Sequence, residues 1–326
     1  MKKRIQSLAV LTSGGDSPGM NACIRSIVRS AAVHGMKVYG VENGLQGLVS
    51  GAISEMTPRD VSGIINKGGT ILGTARCAEF YHRSGRKLAA QHLAAFAIDA
   101  LIIIGGDGSF RGGYKLYKEF GVPFIGLPGT IDNDMFGTDY TIGYDTAVNT
   151  AMQAIDKIRD TAESHHRLFF IEVMGRHCGA IALDAALAGG VEDVLIPETA
   201  TDLDALAASI VKGKTRGKRS IIVVVAEGDE AGDTFKVARA ISKRTKLESR
   251  VCVLGHTQRG GPPSARDRVL ATRLGHTAVT LLRAGIINVF VGEVHGKVQS
   301  TPVQDVVRHK RKTDTYLQTL TQILAR

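Results

Sequence analysis

Ile102-Ile103-Ile104-Gly105-Gly106-Asp107-Gly108-Ser109 is a short β-branched run that stops at two glycines. An apolar run of this length, bounded by glycine, reads as a strand buried on both faces. Glycine lets a backbone approach a polyphosphate closely and takes φ > 0 without a Cβ penalty. The Asp107 carboxylate suits Mg²⁺, a hard cation that prefers oxygen. Ser109 stands where a helix can begin, with N–H groups facing an anion. Taken alone, the octapeptide fits two structures: a phosphate-and-metal site, or a tight strand-to-helix turn with a solvated aspartate.

The same pattern recurs on either side. Upstream, residues 5–11 read as a first strand running into TSGGDSPGMN (12–21), with helical periodicity over 21–33. A second strand is expected over 38–41, helices over 61–67 and 89–97, the opening strand over 100–104 and a helix over 114–120. Residues 123–127 form the next strand, leading into Gly129-Thr130-Ile131-Asp132-Asn133-Asp134. Further helices are expected over 146–162, 178–188, 203–211, 235–245 and 266–284. They alternate with strands over 168–173, 194–196, 220–226, 250–254 and 289–291, and a basic, helical C-terminal segment follows. Strand alternating with helix is the signature of an α/β protein with a mostly parallel sheet. In such sheets ligands sit outside the carboxyl ends of the strands. The loops bearing Asp16, Asp107 and Asp132 with Asp134 all follow strands, which predicts a shared crevice.

Composition narrows the class. The chain has 326 residues, enough for about two domains, and is 44% hydrophobic and 22% charged. Tryptophan is absent and aromatics are 5%, which argues against a carbohydrate- or base-stacking surface. The net charge of +10 favours an anionic partner, nucleic acid or phosphorylated small molecules. Its arginines are scattered beside glycine loops and form no basic arm, so small phosphates fit better and no nucleic acid is expected. Arg308-His309-Lys310-Arg311-Lys312 reads as a solvated face. Cys23, Cys77, Cys178 and Cys252 have no CxxC spacing and read as reduced thiols. His177-Cys178 with His165-His166 shows no tetrahedral metal spacing. Met1-Lys2-Lys3-Arg4 resembles the start of a signal peptide, but the apolar part, 8–11, is too short, and no run approaches the ~18 residues of a membrane span. The expectation is a soluble, cytoplasmic protein with no membrane partner.

With a nucleotide polyphosphate as donor, Gly15 and residues 106–109 cradle phosphates, Asp107 holds Mg²⁺ and Arg76 neutralises charge. Phosphoryl transfer asks little beyond positioning and electrostatics, plus a group to take the acceptor's proton. Asp132, with Asp134 nearby, fits that role; Asp-Asn-Asp also reads as an ordinary Asx-rich turn. Arg167, the Met174-Gly175-Arg176 run, Glu227, Arg250, His256 and Arg259 lie at strand or loop ends. Their guanidinium forks suit a second phosphate.

These motifs resemble one family. TSGGDSPGMN (12–21), GGTILGTAR (68–76), IIGGDGS (103–109), GLPGTIDND (126–134), TIGYDTA (141–147), EVMGRHCG (172–179) and LGHTQRGG (254–261) are similar, in order and over nearly the whole chain, to the bacterial 6-phosphofructokinases. The resemblance implies transfer of the ATP γ-phosphate to O1 of fructose 6-phosphate in glycolysis. It implies two interleaved doubly wound domains: 1–142 plus 257–305 for ATP and Mg²⁺, and 143–256 plus 306–326 for the sugar phosphate. Asp132 is then the base, supported by Thr130, Asp134 and Arg176, and Asp107 ligates Mg²⁺. Gly15, Arg76, Cys77, Gly106, Asp107, Gly108 and Ser109 contact ATP. Thr130, Ile131, Asp132, Met174, Gly175, Arg176, Glu227, His256, Thr257, Gln258 and Arg259 bind the sugar phosphate. Arg167 and Arg250 reach it from a neighbouring subunit of a homotetramer. An allosteric site for ADP and phosphoenolpyruvate matches Arg25, Arg29, Arg59, Arg159, Gly190, Glu192, Arg216 and Lys218, with one departure: the usual arginine aligns with Pro58 and here stands one place later, at Arg59. Pyrophosphate-using relatives carry Asp and Lys where Gly108 and Gly129 stand, so the glycines imply ATP. A pyrophosphate-dependent or other sugar-phosphate kinase, and a catalytically silent regulatory relative, are the alternatives.

Overall fold

The computed structural model describes residues 5–165, 167–231 and 233–325. The basic start at positions 1–4 and His166 lie outside the described residues. The chain forms two compact units: Met1–Ile131, Met135–Asp145 and Arg259–Arg311 in the first, and Asp132–Asp134, Thr146–Gln258 and Lys312–Arg326 in the second.

The first unit is built on a seven-stranded sheet. Its strands are β1 (Ser7–Ser13), β2 (Lys37–Val41), β3 (Ile53–Met56), β4 (Ala100–Gly105), β5 (Phe124–Pro128), β10 (Val289–Val294) and β11 (Lys297–Pro302). They lie in the order β11-β10-β5-β4-β1-β2-β3, parallel except for the two edge strands. The apolar runs alternate between two cores. Leu8, Val10, Ile102, Ile104, Ile125 and Leu127 face α1 (Met20–Val33) and α9 (Ala265–Arg283). Ala9, Leu11, Leu101, Ile103 and Phe124 face the other side, with α3 (Arg83–Ala95) and α4 (Asp107–Phe120). Both faces are covered, which is why these strands carry no polar alternation. The order reverses between β1 and β4, so the loops at 13–16 and 105–109 leave the sheet side by side at its switch point.

The second unit holds a four-stranded, all-parallel sheet, β7-β8-β6-β9, from β6 (Leu168–Val173), β7 (Asp193–Leu195), β8 (Ile221–Ala226) and β9 (Ser249–Val253). Leu168, Phe170, Val223 and Val225 pack with α7 (Leu203–Thr215) and α8 (Thr234–Thr245), and α6 (Ala180–Ala188) packs against β8 and α11 (Tyr316–Leu324). The helix α5 (Tyr144–His165) carries the chain from the first unit's residues into the second's.

Several expected elements differ. Residues 61–67 form turns and no helix, because Gly63 adopts φ +67 in the middle of the segment; Val61 and Ile64 are still buried. The helix expected at 114 begins at Asp107, seven residues earlier. The short helix α2 (Leu45–Ser50), β3 and β11 were not expected. β10 and β11 are joined at His295 and Gly296, both at positive φ, as a tight two-residue hairpin requires. Among the described residues no helix is long and apolar enough to cross a membrane.

Candidate active site

In the first unit the loop at 67–74 is tied to the end of β1 and the start of α1. Thr12 Oγ1 donates to Gly73 O (2.8 Å) and meets Thr70 Oγ1 (2.9 Å), while Thr74 Oγ1 donates to Gly14 O (2.7 Å). The buried Asn21 amide donates to Lys67 O and Gly68 O and accepts from Ile71 N. Exposed Arg76 and buried Cys77 follow this loop, and burial pushes the Cys77 thiol up. Thr12, Asn21 and Thr74 escaped the sequence reading. Their partners lie far along the chain, those of Asn21 46 to 50 residues away, so no local spacing marks them.

The Arg259 guanidinium lies against Gly15, where an added Cβ would sit 2.5 Å from its Nη1. That guanidinium, only 8% exposed, donates to Asp16 O at 2.9 Å. Arg259, expected among the sugar-phosphate ligands, thus packs on the Gly15 loop. Gly68 fits likewise against Gly261 O.

At the end of β4, Gly105 is pressed against Ser13 O and Ser109 Oγ, and Gly106 is the uncapped N-cap of α4. The positive end of this helix faces the switch point. Asp107 lies in its first turn, part-exposed, with Oδ2 accepting from Arg111 Nε at 2.7 Å. A Cβ at Gly108 would meet nothing within 4 Å, whereas one at Gly129 would strike Ile104 and Met20. Gly108 therefore has open space beside it, while Gly129 answers to core packing. Ile131 is fully buried and Thr130 is nearly so, with its carbonyl accepting from Thr141 Oγ1 at 2.5 Å.

Among the described residues no group of three or more His, Cys, Asp or Glu is placed to hold a metal. The helix N-terminus suits the phosphates, and Asp107, part-exposed and paired with Arg111 through one oxygen, is the carboxylate that would hold Mg²⁺, which keeps most of its waters and binds through one or two carboxylates plus substrate phosphates.

In the second unit Asp132 is 5% exposed and stands 3.7 Å from Arg176 Nε. Asn133 and Arg176 both hold positive φ, +52 and +54, a conformation that non-glycine residues adopt at a cost. Two contacts hold Arg176 there. Its N–H donates to Glu227 Oε1 at 2.8 Å, and its carbonyl lies where a side chain at Gly228 would be, 1.7 Å from an added Cβ. Gly175, at φ +141, is likewise closed against Cys178 O. Gly228 was legible only as a strand end. Asp134 belongs to the same three-residue insertion of this unit.

Strand direction splits the proposed sugar-phosphate residues. The Met174-Gly175-Arg176 run follows the carboxyl end of β6, and Glu227 follows β8. His256, Thr257 and the buried Gln258 follow β9. Arg167 precedes β6, and Arg250 is the second residue of β9, paired with Phe169. Arg167 stands six residues of strand, about 20 Å, before the Met174 run, and Arg250, level with Phe169, about 15 Å before it. Arg250 there meets Glu248 Oε1 at 2.5 Å. The sequence reading placed all of them at strand ends without asking which end.

The regulatory matches fall on both units. Arg25 and Arg29 lie on α1 and Arg59 in an exposed turn. In the second unit Arg159 Nη2 donates to Gly189 O and Gly190 O, and Lys218 Nζ donates to Glu192 Oε1 (3.0 Å) and Ala325 O (2.6 Å). Arg216 ends α7 close by.

A doubly wound sheet with glycine-and-aspartate loops at its switch point, and a second unit with a clamped arginine after a strand's carboxyl end, define an α/β protein of the phosphate-handling class. The family model described as phosphofructokinase matches residues 7–282, and the chain belongs to that family. It is 52% identical over 321 residues to ATP-dependent 6-phosphofructokinase 1 of Thermus thermophilus, covering 98% of this chain and all of the relative. It is 50% identical, with the same coverage, to the ATP-dependent 6-phosphofructokinase of Bacillus pumilus. Among solved structures it resembles phosphofructokinase from Saccharomyces cerevisiae (TM-score 0.89, 37% identity), covering 93% of this chain and 45% of that one. A pyrophosphate-dependent phosphofructokinase from Marinobacter aquaeolei (TM-score 0.83, 24% identity, 96% of this chain and 86% of that one) shares the fold.

Proposed function

We propose that the chain is an ATP-dependent 6-phosphofructokinase of the cytoplasm, transferring the γ-phosphoryl group of MgATP to the 1-hydroxyl of fructose 6-phosphate. The observation that carries this is the nearly buried Asp132 facing Arg176, in a chain half identical over its length to ATP-dependent 6-phosphofructokinases. Asp132 takes the proton from the sugar's 1-hydroxyl as that oxygen bonds to phosphorus. The bond from phosphorus to the β–γ bridging oxygen breaks, and ADP leaves. Arg176 offsets charge that spreads onto the transferring group. Thr130 and Asp134 support the base from the same turn. Gly15, Arg76, Cys77, Gly106, Gly108 and Ser109 hold ATP. Asp107 would hold Mg²⁺, which supplies charge neutralisation at the phosphates. Glu227, Met174, Gly175 and residues 256–259 bind the sugar phosphate. Formation of fructose 1,6-bisphosphate with ATP and not with pyrophosphate tests the reading; turnover with neither overturns it.

Open space at Gly108 supports ATP over pyrophosphate. Gly108→Asp is expected to lower kcat/KM for ATP about tenfold or more, since a carboxylate there meets the nucleotide's phosphates. Unchanged ATP kinetics would remove this position from donor choice.

Arg167 and Arg250 stand too far along their sheet to meet Arg176 of the same unit, which supports a homotetramer in which they serve a neighbour's site. Mixing two inactive variants, Asp132→Asn and Arg250→Ala, and letting subunits exchange is expected to restore part of the activity. Mixtures as inactive as their components would exclude shared sites. ADP and phosphoenolpyruvate are the proposed effectors, acting through Arg25, Arg29, Arg59, Arg159, Gly190, Glu192, Arg216 and Lys218.

A further inference from the structure

The turn at 174–178 is closed by Cys178 N donating to Gly175 O at 3.0 Å. Its near side is held by Glu227. Its far side ends at Gly179, whose N–H donates to both oxygens of Glu198, at 2.9 and 3.1 Å. Gly179 has an ordinary φ of −81, so its backbone does not need glycine. Space does: an added Cβ would lie 2.5 Å from Ile196 Cγ2 and 2.7 Å from Glu198 Oε2. The same carboxylate accepts from Thr313 Oγ1 at 2.6 Å, and that hydroxyl also meets Cys178 Sγ at 3.6 Å. Thr313 is anchored from behind. Gln318 on α11 donates to Val194 O (2.9 Å) and accepts from Thr199 Oγ1 (3.0 Å), Gln322 donates to Asp193 Oδ1 (3.0 Å), and Ala325 O accepts from Lys218.

We infer that Glu198 is a positioning residue for the 174–176 loop, and that the C-terminal arm holds it in place through Thr313. Glu198 acts through Gly179 N and touches no reacting atom. A carboxylate with two charge-assisted donors is aimed in one direction, and losing either donor lets it turn to solvent. The Gly179 N–H then loses its acceptor, and the loop that presents Arg176 loosens at one end. The effect falls on sugar-phosphate binding, because the loop that Glu198 braces is the one carrying Met174, Gly175 and Arg176. The inference rests on the proposed sugar-phosphate role of residues 174–176.

The test is steady-state kinetics of the full-length enzyme with Thr313→Val, Thr313→Ser, Glu198→Ala and Glu198→Gln. Thr313→Val, which keeps the shape and loses the donor, is expected to raise KM for fructose 6-phosphate about tenfold and leave KM for ATP within twofold. Thr313→Ser restores the hydroxyl and should restore KM. Glu198→Gln, which keeps one acceptor oxygen, should fall between wild type and Glu198→Ala. An unchanged KM for fructose 6-phosphate in folded Thr313→Val overturns the inference. So does a Thr313→Ser variant as poor as Thr313→Val, or a parallel rise of both KM values. Should Glu198→Ala fail to fold, the threonine pair still decides. Wild-type enzyme inactive on fructose 6-phosphate would instead overturn the functional reading.

Discussion

Asp132→Asn is expected to fold as the wild type does and to bind both substrates, yet to lose roughly 10²–10⁴-fold in kcat. The amide keeps the volume of a side chain that is 5% exposed, so packing is preserved. What disappears is the basic carboxylate that accepts the hydroxyl proton, together with the charge facing Arg176 Nε at 3.7 Å. Isotope-trapping or calorimetric binding alongside turnover separates the two effects. Near-normal kcat would remove Asp132 from proton transfer, and a collapse of fructose 6-phosphate binding would make it a binding residue.

Gly228→Ala should cause a large loss by a different route. A Cβ there would lie 1.7 Å from Arg176 O and 2.8 Å from its carbonyl carbon, and backbone has no rotamer with which to escape. Arg176 must shift, and with it goes the bond from its N–H to Glu227 Oε1. Overpacking of this kind typically costs ~1–3 kcal/mol, and a lost charged hydrogen bond a similar amount. KM for fructose 6-phosphate should rise by roughly 10–100-fold, with KM for ATP near normal because the ATP loops belong to the other unit. A change below twofold in KM for fructose 6-phosphate would mean that the Arg176 backbone tolerates displacement, and that the Glu227 clasp is not what presents the guanidinium.

The strands were legible because they are apolar on both faces. Runs such as 101–104 and 221–225 have no amphipathic alternation to misread. The glycine stops at 14–15 and 105–106 marked where each strand delivers its loop, and Asp107 and Asp132 stood out as acids two and four residues after apolar strands. Segments whose structure depends on distant partners were harder to read. Residues 61–67 look helical by periodicity, yet a glycine at positive φ breaks them and core contacts hold Val61 and Ile64. The edge strand β3 has only four residues and β11 has no fully buried position, so their periodicity is weak.

By itself, the sequence determined the α/β class, the phosphate-binding character of the loops and the acids that follow the strands. Those features are written in local chemistry: β-branched runs, glycine at tight turns, carboxylates where a cation or proton must be met. Only the tertiary structure decided that Arg259 packs on the Gly15 loop and that Arg167 and Arg250 stand at the opposite end of their sheet from Arg176. It also decided that Glu198 joins Gly179 to Thr313 across 134 residues of chain. Strand order, strand direction and the meeting of residues far apart in sequence arise from how the elements pack, and no local spacing encodes them.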